Sequence, residues 1–391
     1  MSSAWIVGAA RTPIGKFLGA FRDVSAPRLG SVAITAALNA ARVDKEQVEE
    51  VIMGNVLSAG LGQAPARQAA LGAEIPAQAA ALTINKVCGS GLKAVMLADQ
   101  AIRCGDREVI VAGGMENMSQ APHLLKQSRR GWRFGDGELY DSMLRDGLWC
   151  AHEDSPMGDL AEYTANECPV SRRQQDEFAA QSHAKACAAW DAGAMDAEVC
   201  SVNVGGKREV RSVDRDEGPR GDCTVESLGR LRPAFAADGS VTPGNASQIS
   251  DGAAAVVVAS ETMADALTSP DKIRIVASAV SGGPPRDLFV APVQAVRQVL
   301  HRADWTTGDV DLFEINEAFA SQSIACARQL EFSPDRLNIH GGAIALGHPI
   351  GASGARVLVT LIHALRRTNQ RRGVAALCLG GGNAVAIAVE R

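Results

Sequence analysis

The sequence predicts a layered α/β protein made of two related halves with a further segment inserted in the first, and three observations support this fold class. Short apolar runs alternate with amphipathic stretches along residues 5–114 and again beyond residue 249. The segment between these regions is charged and irregular. The later region also repeats features of the first at a nearly constant offset. Alternation of strands and helices is typical of layered α/β folds with parallel strands.

The first alternating region begins with a strand-like run at residues 5–9 and ends with another at residues 108–114. Between them, helical patterns alternate with short runs rich in β-branched or apolar residues. In order, the segments read WIVGA, SVAITAALNAARV, EVIMGNV, PARQAAL, ALTINKV, GLKAVMLADQAIRCGD and EVIVAGG. The alternation breaks after Gly114.

The charged segment that follows contains one helical stretch, QQDEFAAQSHAKACAAWDAG, and one turn-rich stretch, GKREVRSVDRDEGPRGD. A buried-strand pattern returns in ISDGAAAVVVAS, and IRIVASAV opens a further α/β unit that ends in GVAALCLGGGNAVAIAVE. We therefore expect an N-terminal domain formed by residues 1–118 and 246–269. An inserted loop domain then covers residues 119–245, and a C-terminal domain covers residues 270–391.

Internal self-similarity indicates that the two α/β halves are duplicates. VAITAALNAARVDKEQVEEVIMGNV resembles AVRQVLHRADWTTGDVDLFEINEAF, because each reads as a helix, a turn, an acidic stretch and a strand that ends near an asparagine. This alignment pairs residue 55 with residue 316. At almost the same offset, CGSGLKAV stands opposite HPIGASGARVL, and VIVAGG opposite ALCLGGG. Corresponding loops of such halves can converge on one cleft.

The composition excludes several classes of protein. The chain has 391 residues, a net charge of −5, 46% apolar and 21% charged residues, which predicts a soluble globular protein that binds no nucleic acid. No apolar run approaches the roughly 18 to 20 residues that cross a bilayer, and no leader segment is recognisable, so we expect no membrane partner. The nine scattered cysteines show no metal-ligand spacing, which favours a reducing, cytoplasmic location and no metal site.

Cys88 lies at the predicted junction of a strand and a helix, in TINKVCGSGLKAV. The ordinary interpretation is a small apolar side chain in the core, because cysteine is among the most frequently buried residues. The alternative is a nucleophile, since the free N–H groups and dipole of a helix N-terminus would lower the thiol pKa below its usual value of about 8.5. The flanking glycines would let a substrate carbonyl approach.

Three side chains of the second half are candidates for the same cleft. His348 lies in GHPIGASG, Cys378 ends VAALC before LGGG, and Asn316 follows the apolar run DLFEI. Their ordinary interpretations are a loop histidine, a packed cysteine and a helix-capping asparagine. The repeat favours functional roles because it places the loop of His348 opposite Cys88. Gly380 could also offer an unhindered N–H group to an oxyanion.

Other chemistries receive less support. The glycine-rich strings GHPIGASG and GGGNA could form nucleotide loops, but the phosphate-binding pattern GxxxxGK[ST] does not occur in the sequence. The zinc pattern HExxH and the local cysteine signature of papain-like proteases are also missing from it.

Six motifs carry a resemblance to a known family. TINKVCGSGLKAV, AGGMENMSQAPH, NASQISDGAAAVV, EINEAFA, GGAIALGHPIGASG and CLGGG follow one another as they do in the thiolases. The resemblance runs from RTPIGKF near the N-terminus to the last strand. It implies the thiolase fold, in which two duplicated α/β halves form five layers (helix, sheet, helix, sheet, helix) and a loop domain is inserted in the first half.

The resemblance also implies a role for each candidate. Cys88 is expected to be acylated by an acyl-CoA, His348 to activate its thiol, and Cys378 to move the proton of the second substrate or of the leaving thiol. Asn316 is expected to hold a water that forms one oxyanion hole with His348. The backbone N–H groups of Cys88 and Gly380 are expected to form the other.

Coenzyme A thioesters are the expected substrates, with no further cofactor. By resemblance, residues of the inserted domain contact coenzyme A and form contacts between subunits. The resemblance also implies a homotetramer, a dimer of dimers, with DSMLRDG among the subunit contacts. A solvated surface charge is the ordinary interpretation of Arg220. The resemblance places Arg220 near the nucleotide of coenzyme A and the apolar residues along its pantetheine. The positions expected to contact coenzyme A are Leu148, Met157, Arg220, Ser227, Ala246, Ser247, Ala318 and Phe319.

The sequence departs from the short-chain biosynthetic pattern at positions that bear on the acyl group. The usual His-Met-Gly appears as Pro156-Met157-Gly158, and the usual Met-Gly-x-Gly-Pro loop as LFVAP. Within LFVAP the departing residues are Leu288, Phe289 and Ala291, and GGGNA places Asn383 where Met or Gln is usual. The overall similarity implies reversible condensation of two acetyl-CoA molecules to acetoacetyl-CoA. A degradative 3-ketoacyl-CoA thiolase of broader chain length and a non-catalytic lipid carrier of this fold are the alternatives.

Overall fold

The protein was examined as a computed structural model that describes residues 3–132, 134–206, 209–269 and 272–391. The strands are β1 (Ala4–Arg11), β2 (Gly15–Lys16), β3 (Glu50–Gly54), β4 (Ala80–Ile84), β5 (Val109–Asn117), β6 (His123–Leu124), β7 (Tyr140–Asp141), β8 (Trp149–Cys150), β9 (Ser155–Pro156), β10 (Val202–Gly206), β11 (Glu209–Val213), β12 (Ser250–Ser260), β13 (Ile273–Gly282), β14 (Leu312–Ile315), β15 (Arg372–Leu379) and β16 (Asn383–Glu390). The helices are α1 (Ala26–Ala41), α2 (Pro65–Gly72), α3 (Ser90–Cys104), α4 (Met157–Glu167), α5 (Arg172–Asp191), α6 (Val225–Gly229), α7 (Glu261–Ala266), α8 (Ala291–Ala303), α9 (Ala320–Leu330), α10 (Ala343–Leu346) and α11 (Ser353–Arg367).

The main strands form one continuous path whose two ends repeat each other. Its order is β14-β15-β16-β13-β1-β12-β5-β3-β4, and the halves meet where Trp5 pairs with Arg274 and Ile6 with Ile273. Outward from this contact the first half runs β1-β12-β5-β3-β4, and the second half runs β13-β16-β15-β14. In the second half, the position that corresponds to β4 is occupied by a single parallel β-bridge between Phe313 and Leu337. The duplication inferred from the sequence is therefore present in the strand order.

The expectation of parallel strands is only partly correct, because the sheet is mixed. β3 pairs in parallel with β4 and β5, and β14 pairs in parallel with β15. The pairs β5–β12, β1–β12, β13–β16 and β15–β16 are antiparallel. The physical reason is connectivity: the chain returns from the inserted segment and runs back along β5 as β12, from Asp251 opposite Asn117 to Ala259 opposite Val109.

The five layers implied by the resemblance are present. One core packs α1 against the outer face of the first half's sheet, with Leu29 and Val257 among its members. A second core lies between the two sheets around α3 and α11 and includes Leu92 and Leu358. A third packs α8 against the outer face of the second half's sheet, as Val296 illustrates. β12, whose middle is entirely apolar, is buried along its whole length because layers cover both faces.

Two glycines bring the central helices α3 and α11 into backbone contact. A Cβ atom on Gly91 would lie 2.7 Å from the backbone nitrogen of Ala355, and one on Gly354 would lie 2.3 Å from the backbone nitrogen of Leu92. Real Cβ atoms do not approach so closely, so these positions require glycine. The matched motifs CGSG and GASG thus cross at their glycines, which places the loops before both helices side by side.

The segment between β5 and β12 contains α4, α5, α6, the hairpin β10–β11 and a π-helix over Met143–Leu148. The sequence predicts domain limits at residues 118, 245 and 269. Each limit lies in or near a connection between helices or strands, and all three stay predictions. Across the ranges given above, none of the helices is both long enough and apolar enough to cross a membrane.

Candidate active site

A mostly apolar cavity of about 520 Å³ opens between the two halves and the inserted segment. Cys88, His348, Cys378 and Gly380 line it together. Their loops come from both halves: the β4–α3 connection, the turn before α11 and the end of β15. The cavity therefore brings together three of the four side chains predicted for it, whereas the fourth, Asn316, is not among its lining residues.

Cys88 lies in a tight turn between β4 and α3. The hydroxyl of Ser90 accepts a hydrogen bond from the Lys86 N–H at 2.8 Å and donates to the Val87 carbonyl at 2.6 Å. Val87 adopts a φ of 47°, a left-handed conformation that is unusual for a β-branched residue. Such strain is typical of functional turns. A Cβ on Gly89 would meet the Leu379 side chain at 2.3 Å, so β15 packs directly on the turn.

The expectation of a lowered Cys88 pKa is wrong. Burial raises the pKa of the Cys88 thiol to about 12, and the nearby Glu116 carboxylate adds to the increase. Hydrogen bonds from the backbone N–H groups of Cys88 and Gly380 oppose burial without overcoming it. Desolvation of a thiolate in an apolar cavity thus outweighs stabilisation by the helix N-terminus. Cys88 is therefore a thiol at neutral pH, and a role as a nucleophile would require a base.

His348 is oriented so that one ring nitrogen is available as that base. Its backbone N–H donates to the Gln248 carbonyl at 2.9 Å. The Ser353 hydroxyl donates to the Pro349 carbonyl at 2.9 Å, so its oxygen accepts from Nδ1–H of His348 at 2.6 Å. Nε2 then carries the lone pair.

The ring of His348 is unprotonated at neutral pH. Burial lowers its pKa to about 3, and the positive charge of Arg356 contributes in the same direction. Arg356 lies one turn beyond Ser353 on α11. A neutral imidazole can accept the proton of Cys88.

Asn316 and Cys378 complete the group around His348. Asn316 directly follows β14, and its Nδ2 lies 3.5 Å from His348 Nε2. Among the described residues, its buried Oδ1 has no hydrogen-bond partner. Burial raises the pKa of the Cys378 thiol well above its usual value, and proximity to Cys88 raises it further. Asn316 thus presents an amide oxygen that could accept a hydrogen bond from a water.

The positions expected to contact coenzyme A divide into two groups. Arg220 and Ser227 are exposed and do not line the cavity: Nη2 of Arg220 lies 3.3 Å from Nε2 of His183, and the Ser227 hydroxyl donates to the Thr224 carbonyl at 2.8 Å. The roles of these two residues stay predictions that rest on the resemblance. The positions that do line the cavity are Leu148, Met157, Ala246, Ser247, Ala318 and Phe319.

The departures from the short-chain pattern also divide. Pro156, Leu288 and Phe289 line the cavity, whereas Ala291 begins α8 and Asn383 begins β16 outside its lining. The DSMLRDG stretch, expected at oligomer contacts, also reaches the cavity through Gly147.

Sequence reasoning missed several residues that shape the site. Gln248 lines the cavity and donates to the Ile344 carbonyl at 2.9 Å and the Ala345 carbonyl at 3.0 Å. Ser353 and Glu116 also contact active-site loops. Ser353 lies within the GASG motif, so the repeat could have drawn attention to it. Glu116 is an acidic residue in an otherwise apolar strand, which is a signal of its own.

Comparison with known proteins identifies the class that this fold and site define. Residues 4–262 match the family described as "Thiolase, N-terminal domain", and residues 270–391 match "Thiolase, C-terminal domain". The chain therefore belongs to the thiolase family.

Individual relatives span the whole chain. The chain is 51% identical over 392 residues to a Cupriavidus necator protein named "Acetyl-CoA acetyltransferase", which covers 100% of both chains. It is 50% identical over 392 residues, with the same coverage, to a protein of that name from Pseudomonas aeruginosa. The crystal structure of the Bacillus anthracis acetyl-CoA acetyltransferase is similar with a TM-score of 0.97 and 39% identity, over 100% of this chain and 99% of that one.

Proposed function

We propose that the protein is an acetyl-CoA C-acetyltransferase that joins two acetyl-CoA molecules reversibly into acetoacetyl-CoA and free coenzyme A. The observation that carries this proposal is the convergence of Cys88, His348 and Cys378 on one apolar cavity, with Asn316 beside His348. Full-length relatives at 50–51% identity that carry the name acetyl-CoA acetyltransferase support it.

Acyl transfer to the enzyme is the first half of the reaction. The Cys88 sulfur attacks the thioester carbonyl carbon of acetyl-CoA while His348 Nε2 accepts the thiol proton. The carbon–sulfur bond to coenzyme A breaks, and the departing sulfur takes the proton of the Cys378 thiol, which leaves Cys378 as a thiolate while His348 keeps the proton from Cys88. Because the Cys88 pKa is high, general-base assistance is required, and such assistance typically contributes about 10²- to 10⁴-fold in rate.

Carbon–carbon bond formation is the second half. Cys378, as a thiolate, removes a proton from the methyl group of a second acetyl-CoA, and the resulting enolate carbon attacks the carbonyl carbon of acetyl-Cys88. The bond to the Cys88 sulfur breaks, this sulfur recovers the proton held by His348, and Cys378 keeps the proton from the methyl group, so that both cysteines end as thiols. The backbone N–H groups of Cys88 and Gly380 stabilise one oxyanion, and a water held by Asn316 with His348 stabilises the other; each such donor typically contributes about 10²- to 10³-fold.

The pantetheine of coenzyme A lies along the cavity-lining residues, and the nucleotide lies toward the exposed Arg220 and Ser227. Small apolar side chains at Ala246 and Ala318 leave room for the thin pantetheine, and Ser247 supplies a polar group beside it. Acyl-CoA thioesters are thus the substrates. In the described part of the chain, no cluster of three histidine, cysteine, aspartate or glutamate residues is arranged to bind a metal ion.

The chain acts as a homotetramer in the cytoplasm. Exposed aromatic and aliphatic side chains at Trp132, Phe134 and Leu139 support a subunit contact, because clustered apolar exposure often marks an interface. All nine cysteines are free, in keeping with a reducing compartment. Light scattering after size exclusion should give four times the mass of the 40.8 kDa chain. A monomer would contradict the tetramer.

Acetylation of Cys88 tests the proposed function directly. After incubation with acetyl-CoA, intact mass spectrometry should detect one added acetyl group on the wild type and none on Cys88→Ser. A wild type that acquires no acetyl group would refute the proposal. Tight lipid binding with no cleavage of acetoacetyl-CoA would favour the carrier alternative instead.

Chain-length preference tests the choice of substrate. Thiolysis rates should be measured with 3-ketoacyl-CoA substrates from four carbons upward. We expect acetoacetyl-CoA to give the highest kcat/KM. Higher kcat/KM with six carbons or more would assign the protein to the broad 3-ketoacyl-CoA thiolases.

A further inference from the structure

The buried carboxylate of Glu116 joins the two halves beside the active site. Glu116 lies on β5 and is fully buried. Its Oε1 accepts from Asn55 Nδ2 at 2.8 Å and from the Leu57 N–H at 3.2 Å. Its Oε2 accepts from the Val56 N–H at 3.0 Å and from the Gly351 N–H at 2.9 Å. One side chain therefore fixes the loop after β3 and the loop that carries His348.

Both loops that Glu116 binds touch the nucleophile. Val56, Leu57 and Ile350 form the apolar cluster against which Cys88 packs. Gly351 is three residues beyond His348, in the turn that leads to Ser353 and α11. The carboxylate thus determines the spacing between the surroundings of Cys88 and the turn that carries its base.

The contact leaves little room for adjustment. A Cβ atom on Gly351 would lie 2.6 Å from Oε2 of Glu116, and one on Gly114 would lie 2.1 Å from the Gly351 carbonyl oxygen. β5 and the His348 loop are therefore in contact through two glycine positions. Loss of the carboxylate would leave buried N–H groups of both loops without an acceptor.

We propose that Glu116 is a positioning residue, which acts by aligning the His348 loop with the Cys88 turn across the boundary between the two halves. This inference rests on the proposed function for its kinetic consequence only. The side chain does not line the cavity, so it acts through the two loops and not on the substrate. Misplacement of a catalytic group by about 1 Å can cost on the order of 10²-fold in rate.

The charge of Glu116 adds a pH dependence. Burial raises its pKa to about 7, the backbone N–H groups of Val56, Leu57 and Gly351 lower it, and Asp251 on the adjacent β12 raises it. Protonation turns one carboxyl oxygen into a donor that faces N–H groups, so the alignment should weaken as pH falls through about 7. The other titratable groups facing this region are Cys88 before α3, with a pKa of about 12, and His348 before α11, with a pKa of about 3.

A matched variant separates positioning from simple stability. Glu162 is also a buried carboxylate with four hydrogen bonds, from the Ser240 N–H to both oxygens, from the Ser240 hydroxyl and from the Val241 N–H. Ser240 and Val241 belong to neither the Cys88 turn nor the His348 loop. Glu162→Gln should lower the melting temperature as much as Glu116→Gln does, because each substitution replaces one acceptor oxygen of a buried carboxylate with an amide NH₂ group. Only Glu116→Gln should slow acylation.

The kinetic experiment measures the rate of Cys88 acetylation by rapid quench and intact mass. Glu116→Gln should be about 10- to 100-fold slower than Glu162→Gln with little change in the KM for acetyl-CoA, and Glu116→Asp should recover part of the loss. The acid limb of the wild-type profile near pH 7 should be missing from Glu116→Gln, whereas Asp251→Asn should retain it at a lower pH, because Asp251 raises the Glu116 pKa. Equal acetylation rates in the two glutamine variants would overturn the inference.

A second measurement does not depend on activity. Hydrogen–deuterium exchange of the peptide that spans residues 347–354 should be faster in Glu116→Gln than in Glu162→Gln, because the Gly351 N–H loses its acceptor. Unchanged exchange there would overturn the positioning role even if no acetyl-enzyme formed. If the wild type acquires no acetyl group but Glu116→Gln still shows the faster exchange, only the proposed function is refuted.

Discussion

Removal of the Ser353 hydroxyl tests how the ring of His348 is oriented. Ser353 is fully buried, and its oxygen accepts from Nδ1–H of His348 at 2.6 Å. In Ser353→Ala this N–H has no acceptor and the neutral ring can adopt the other tautomer, which directs a hydrogen instead of a lone pair from Nε2. Leaving a buried donor unsatisfied costs about 1–3 kcal/mol. That range corresponds to a loss of about 5- to 150-fold in kcat.

A second serine provides the control for this prediction. Ser31 is buried in α1, and its hydroxyl donates to the Pro27 carbonyl at 2.9 Å, as the Ser353 hydroxyl donates to the Pro349 carbonyl at 2.9 Å. Ser31→Ala therefore removes the same backbone contact without affecting a histidine. Thiolysis of acetoacetyl-CoA should be slowed in Ser353→Ala alone, with KM nearly unchanged. If both variants retain wild-type kcat, Ser353 does not orient His348.

Three further outcomes follow from the geometry. The pKa of Cys88 predicts that its alkylation by iodoacetamide, followed by mass spectrometry, rises about tenfold per pH unit between pH 7 and 10; a plateau below pH 9 would contradict burial as its cause. Val87→Gly should be more stable to urea than Val87→Ala by about 1 kcal/mol, because glycine accepts the left-handed backbone; the reverse order would show that no strain is stored there. Arg11→Met should lower the free energy of unfolding by about 3–5 kcal/mol, since it leaves buried Glu198 and Asp216 unpaired; a loss below about 1 kcal/mol would refute this.

Local patterns predicted the parts of the site that depend on neighbouring residues and on the repeat. The CGSG and GASG motifs predicted that Cys88 and His348 would meet, and the structure explains it through the close contact of Gly91 and Gly354. The strand order of each half also follows the repeat. Such features can be predicted from short stretches of sequence and from their alignment within the repeat.

Other properties depend on how distant segments pack and could not be read from short stretches. The Cys88 pKa was expected to fall, but burial by the other half raises it. The direction of β12 depends on the path of the inserted segment. Arg11 is neutralised by Glu198 and Asp216, which are 187 and 205 residues away. No pattern around Arg11 indicates these partners.

The central helix layer has a consequence for how the chain acquires its structure during synthesis. The core between the two sheets is shared, and Leu92 from the first half packs in the same cluster as Leu358 from the second. The first half leaves the ribosome before α11 exists, so the inner face of its sheet is covered by α3 alone until nearly the whole chain is made. An early half-chain would therefore expose aggregation-prone apolar surface. The natural unit of folding is the entire polypeptide, although two family domains can be recognised within it.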